Sequence, residues 1–146
     1  HFACDLAKGT RVEGLPGFRV MALTDNIPLM TAWANDTSYD GIFAEQLAPH
    51  VQPGDILIAI SASGNSPNVL AAALVARNAG ATVIGITGQS GGKLSEYSHL
   101  AIRVPADAAE QIEQVEDAHL VIAHSLCVTL RARLRNEAKL CDSQPA

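Results

Sequence analysis

Three hydroxyl side chains, Ser61, Ser63 and Ser66, stand together directly after the apolar run Ile56-Leu-Ile-Ala-Ile60. Pro67 follows, and then Asn68-Val-Leu-Ala-Ala-Ala-Leu-Val-Ala76, a segment of strong helix formers. Pro67 suits the first helical position, where its missing N–H loses nothing, and Ser66 before it suits the N-cap. The order is therefore strand, tight loop, helix N-terminus. Free backbone N–H groups and the positive end of a helix dipole converge there, as an anion requires. Each serine can also donate to a phosphate oxygen. The loop Ser61-Ala-Ser-Gly-Asn-Ser66 carries no Lys or Arg, so a phosphate there is held by dipoles and hydroxyls. It contains neither the Gly-Lys-Ser/Thr of a P-loop nor a G-x-G-x-x-G dinucleotide fingerprint.

A second set of reactive side chains lies near the end of the chain. At about 100° per residue, Glu113, Glu116, Asp117, Leu120 and His124 fall on one side of a helix, with Cys127 and Arg131 in line. Ile112, Val115, Ile122, Ala123, Leu126 and Leu130 crowd another face, and His119 falls among them. The carboxylates taken alone fit a solvated surface, and His119 fits a hydrogen-bonded core or interface histidine. His124 points to the carboxylate side and suits a proton carrier near neutral pH.

The elements that must position these groups alternate. His1 to Lys8 has helical composition, stopped by Gly9, and His1 and Asp5 share a face at a spacing of four. Arg19 to Thr24 reads as a short strand. Asp25-Asn26 caps a helix running to about Asn35, and Tyr39 to His50 reads as another helix. Ile56–Ile60 reads as a central strand buried on both faces. After its helix come a strand over Thr82–Thr87, a Gly-rich loop with a short helix up to Tyr97, a strand over His99–Val104, and a long helix from Glu110 to about Leu140. Cys141 to Ala146 reads as a frayed tail. Four strands alternating with helices predict a parallel α/β sheet with right-handed crossovers. In such sheets ligands sit beyond the carboxyl ends of the strands, where Ser61 to Ser66 fall.

At 146 residues the chain fits a single domain over 1–146. Net charge is −5 without a basic cluster, which argues against direct nucleic-acid binding. No apolar run approaches the roughly 18 residues of a membrane span. Cys4, Cys127 and Cys141 are scattered without a C-x-x-C, which predicts a reducing, cytoplasmic setting. The opening at His1, inside a helix, reads as a chain whose N-terminal part, with a fifth strand, is missing.

Ile60-Ser61-Ala62-Ser63-Gly64-Asn65-Ser66 resembles the phosphosugar-binding loop of the SIS (sugar isomerase) family. His1-Phe-Ala, Ala34-Asn35-Asp36, Ile86-Thr-Gly88, Gly91-Gly92-Lys93-Leu94, Arg103-Val-Pro105 and Val115-Glu-x-x-His-x-x-x-x-His124 extend the resemblance to its phosphoheptose isomerase branch. The resemblance implies a three-layer, doubly wound, flavodoxin-like α/β fold and a homotetramer. It also implies isomerisation of sedoheptulose 7-phosphate to D-glycero-D-manno-heptose 7-phosphate, sometimes with zinc and with no nucleotide or redox cofactor. Ser61, Ser63 and Ser66 match the phosphate contacts, Asp36 a substrate-contacting aspartate, and His124 the acid/base histidine. Asp5 stands where the family usually has a glutamate base, Glu116 where it has glutamine, and Glu113 where it has aspartate. Ala62 replaces a threonine, and Gly9 a basic residue. His1, Asp5, Glu116 and His124 form the implied metal set. A non-catalytic phosphosugar-binding regulator, or a scaffold for a replication initiator, is the alternative within the same fold.

Overall fold

A computed structural model describes residues 1–142. The chain folds as two compact units, one of His1–Ala22 with the chain from Leu120 onward, the other of Leu23–His119.

The Leu23–His119 unit holds the sheet. Strands β1 (Ile56–Ser61), β2 (Thr82–Thr87) and β3 (Leu100–Arg103) pair in parallel in the order β1-β2-β3. Among the described residues there are three strands, not four. Arg19–Thr24 forms no ladder, and Met21 within it is 56% exposed. An extended segment without a cross-strand partner has nothing to hold it as a strand. For the same reason β1 is an edge strand here rather than a central one, and Ile56 and Ile60 are 63% and 41% exposed.

The helices follow the local signals. Helix α2 (Ile27–Asp36) is capped by Asn26, whose Oδ1 accepts from Leu29 N at 3.1 Å. The segment read as one helix over Tyr39 to His50 is a 3₁₀ turn, Tyr39–Gly41, and a single helical turn, α3 (Ala44–Leu47). Helix α4 (Pro67–Asn78) starts at Pro67, and its chain reverses through Gly80 at φ 80°. Helix α5 (Gly92–Tyr97) precedes β3. The core is built of small residues: Ala72, Ala73 and Ala76 of α4 pack with Ala59, Ala81, Val83, Leu47 and Leu94. Alanines let α4 lie close on the strands, so the core tolerates little added volume.

The other unit contains a short α-helical turn, α1 (Phe2–Cys4), running into a π-helical turn, Asp5–Gly9. Its remaining helix is the continuation of α6 (Ile112–Asp142), which begins in the sheet unit. Cys141 and Asp142, read as part of a frayed tail, end this helix; residues 143–146 lie outside the described residues. No helix among the described residues is long and apolar enough to cross a membrane.

Ala76 has no exposed surface. Ala76→Leu is expected to lower unfolding free energy by about 1–3 kcal/mol through overpacking, read from the denaturant midpoint. An unchanged midpoint would mean that α4 does not lie against the strands as described.

Candidate functional site: the serine loop and the Asp5–His124 pair

The serine loop turns from the carboxyl end of β1 into α4. Ser66 occupies the N-cap position, but its side chain caps nothing. Its Oγ lies 2.9 Å from Ser61 Oγ instead, so one hydroxyl proton is used between them. Ser63 Oγ accepts from Asn65 N at 3.1 Å, which leaves its own proton free to donate outward.

A neighbouring loop holds this one in shape. Gly88 N donates to Ala62 O at 2.8 Å, Leu94 N to Gly64 O at 2.9 Å, and Lys93 N to the Asn65 side-chain oxygen at 3.1 Å. Gly64 adopts φ 67°, and a Cβ there would run into the Gly91 carbonyl. A Cβ on Gly92 would come within 2.6 Å of both the Ser63 and Gly64 carbonyl oxygens. The Gly91-Gly92 pair is therefore the seat on which the serine loop rests.

Above the loop lies a cavity of about 310 Å³, lined by Ile60, Ser61, Ala62, Ser63, Ser66, Ile112, Glu116 and His119. All of these belong to the Leu23–His119 unit. The three serines and Glu116 thus meet at one cavity. The Glu116 carboxylate opposes an anion beside it and suits hydroxyl groups instead. Asp36 and Glu113 are not in this lining: Asp36 ends α2 and accepts from Asn35 Nδ2 at 2.8 Å, and Glu113 is exposed in the first turn of α6. His119 differs from the expected hydrogen-bonded core histidine. It is buried, but its Nε2 has no hydrogen-bond partner among the described residues, and the residue is among those lining the cavity. Its spacing of four from Val115 and from Ala123, both buried, was the available signal, and it spoke only for packing.

In the other unit, His124 Nε2 lies 3.6 Å from Asp5 Oδ2, within reach of charge attraction but longer than a hydrogen bond. Both side chains keep contact with solvent, at 48% and 35% exposure, as groups that exchange protons need. Asp5 opens the π-helical turn, a geometry often found at functional positions. The pair borders a cavity of about 230 Å³ with Gly9, Cys127, Val128 and Arg131. Arg131 Nη1 donates to Gly9 O at 3.3 Å, bringing a cation to the position where the sequence has no basic residue of its own. Cys127, expected in line with the histidine face, is buried. Burial first, and then the Asp5 charge, push its thiol above the ordinary value, while Arg131 pulls the other way.

Of the implied zinc set, His1, Asp5 and His124 lie in one unit and Glu116 in the other. The His1 and His124 rings meet edge to face with centroids 5.7 Å apart, and Glu116 lines the serine-loop cavity. Among the described residues no group of three His, Cys, Asp or Glu side chains is placed to hold a metal ion.

A parallel α/β unit with serines around a helix start is what the loop motif led us to expect of a SIS domain, and the family model of that name matches residues 1–88. Two solved structures are similar to this chain. A phosphoheptose isomerase from Francisella tularensis matches with TM-score 0.81 and 33% identity over 90% of this chain and 69% of that one. The enzyme of the same name from Neisseria gonorrhoeae gives TM-score 0.80 and 28% identity over 90% and 68%. The phosphoheptose isomerase of Rhodospirillum rubrum is 49% identical over 113 residues, 77% of this chain and 57% of the relative. That of Thiobacillus denitrificans is 42% identical over 130 residues, 87% and 64%. The chain belongs to the SIS domain family, in its phosphoheptose isomerase branch. It spans 57% to 64% of the length of these two curated relatives.

Gly64→Ala tests the seat. It adds left-handed strain to a backbone collision, so a loss of roughly 2–4 kcal/mol in unfolding free energy is expected. A thermal midpoint within a degree of the parent's would show that the loop does not rest on Gly91.

Proposed function

We propose that this chain is an aldose–ketose isomerase that converts sedoheptulose 7-phosphate to D-glycero-D-manno-heptose 7-phosphate. The observation that carries the reading is the solvent-accessible Asp5–His124 pair, 3.6 Å apart, in a chain of this branch. The reaction needs a proton taken from C1 of the ketose while the C2 oxygen gains one. The resulting enediol then receives a proton at C2 and gives one up from the C1 oxygen. A carboxylate and an imidazole can divide these transfers. Ser61, Ser63 and Ser66 hold the phosphate, a group remote from the reacting carbons whose binding energy serves orientation. Glu116 faces sugar hydroxyls, and Asp36 and Glu113 are further substrate contacts on the strength of the family motif alone. Zinc has the same support; as no group of three donors among the described residues is placed to hold a metal ion, no step is routed through it. The setting is the reducing cytoplasm, in keeping with Cys4 and Cys127 as free thiols.

Purified protein should convert sedoheptulose 7-phosphate to the aldose. Asp5→Asn and His124→Gln should each slow turnover by at least roughly 10²-fold with the melting temperature unchanged. Asp5→Glu, which restores the longer carboxylate of the branch, should keep or raise the rate. Binding of the sugar phosphate without turnover would replace the enzyme by a phosphosugar-binding regulator of the same fold. Rates equal to the parent's in both variants would keep the enzyme and discard the pair.

The assembly we propose is a homotetramer with two-fold axes. Leu120, Val121 and Val128 leave α6 with exposed apolar surface, at 44%, 63% and 55%. Light scattering at micromolar concentration should give the mass of four chains; the mass of one would refute it.

A further inference from the structure

His119 has no task in the reaction just described. It lies on the buried stripe of α6 with Val115, Ala123 and Cys127, at 6% exposure. An apolar side chain would serve the packing there. Instead a ring nitrogen, Nε2, is buried without a hydrogen-bond partner among the described residues. Such a group is unfavourable unless something completes it. His119 is among the residues lining the serine-loop cavity, so a small turn of its ring would bring Nε2 to an occupant able to supply the missing partner.

The donors around the cavity indicate what the occupant lacks. Ser61 and Ser66 use one hydroxyl proton on each other. Pro67 has no N–H, and Val69 N donates to the Asn68 side-chain oxygen at 2.8 Å. The loop contains no Lys or Arg. A phosphate presents three terminal oxygens and two negative charges, and the loop meets them with neutral hydroxyls and amides alone. Of the residues lining the cavity, His119 is the one whose side chain can carry positive charge.

We propose that His119 is a phosphate-binding residue of the serine-loop cavity, its Nε2 donating a hydrogen bond to a phosphate oxygen of the ligand. The proposal rests on the sugar-phosphate reading above and adds a residue to it. It also accounts for a histidine on a packing stripe: Nε2, without a partner among the described residues, gains one in the complex.

Calorimetric titration with inorganic phosphate and with sedoheptulose 7-phosphate tests it, alongside thermal melting. His119→Met removes an unpaired buried nitrogen, so the free protein should melt at or above the parent temperature. Both probes should bind at least roughly tenfold more weakly, the effect of losing a hydrogen bond to a charged group. His119→Gln, which keeps an amide donor at similar reach, should bind within about threefold of the parent, since it restores that hydrogen bond. A structural histidine gives the opposite pattern, with a lower melting point in His119→Met and unchanged affinities, and would overturn the proposal. Loss for the sugar phosphate alone, with inorganic phosphate unaffected, would overturn it as well. Should His119→Met fail to fold, the parent protein labelled with ¹⁵N-histidine decides. The Nε2 resonance of His119 should shift on adding phosphate and saturate at the calorimetric Kd; a resonance that does not move overturns the assignment. Failure of the parent protein to bind either probe would overturn the serine-loop reading itself. Tight parent binding that both variants preserve would overturn only the role of His119.

Discussion

The contact between two loops, Ser61–Ser66 and Gly91–Gly92, is the constraint on which the phosphate-binding reading depends. Three backbone donors of the second loop region, at Gly88, Lys93 and Leu94, are satisfied by acceptors in the first. That fixes the serine hydroxyls relative to the start of α4 before any ligand arrives, so little ordering is left for binding to oppose. Close approach is possible only because the residues at the crossing have no Cβ. Gly64, at φ 67°, and Gly92, pressed on two carbonyls, are both required for steric reasons. The Ala-rich face of α4 extends the same logic downward, since a helix close to its strands holds its N-terminus in register with the carboxyl end of β1.

Much of this was legible in local pattern. The strand Thr82–Thr87, the start of α4 at Pro67, the Asn26 cap and the stop before Gly80 all appear where residue chemistry alone puts them. The serines gather at one cavity, as the strand–loop–helix order implied. What failed depended on partners distant in sequence. Arg19–Thr24 has a strand's composition but finds no ladder, and Ile56–Ile60 has a central strand's composition but stands at an edge. Ser66 has an N-cap's identity, yet its hydroxyl is drawn to Ser61, five residues back. The glycine seat was present in the sequence as Gly91-Gly92, but nothing local shows which backbone would press against it.

Helix α6 shows how one amphipathic pattern can serve two purposes. Its buried stripe, Val115, His119, Ala123 and Cys127, is a packing surface carrying two polarisable side chains, while His124 lies off the stripe and meets Asp5. Burial and the Asp5 charge both favour the neutral thiol at Cys127, so no second anion stands beside Asp5. Arg131, bonded to the Gly9 carbonyl, brings a cation from α6 to this cavity.

The most direct test of the account is solvent isotope exchange. Sedoheptulose 7-phosphate would be incubated with the protein in deuterium oxide and followed by proton NMR. The account predicts formation of the aldose 7-phosphate with deuterium entering at C1 of the ketose or C2 of the aldose, and no reaction of unphosphorylated sedoheptulose at the same concentration. Neither product nor exchange from the phosphorylated sugar would contradict it.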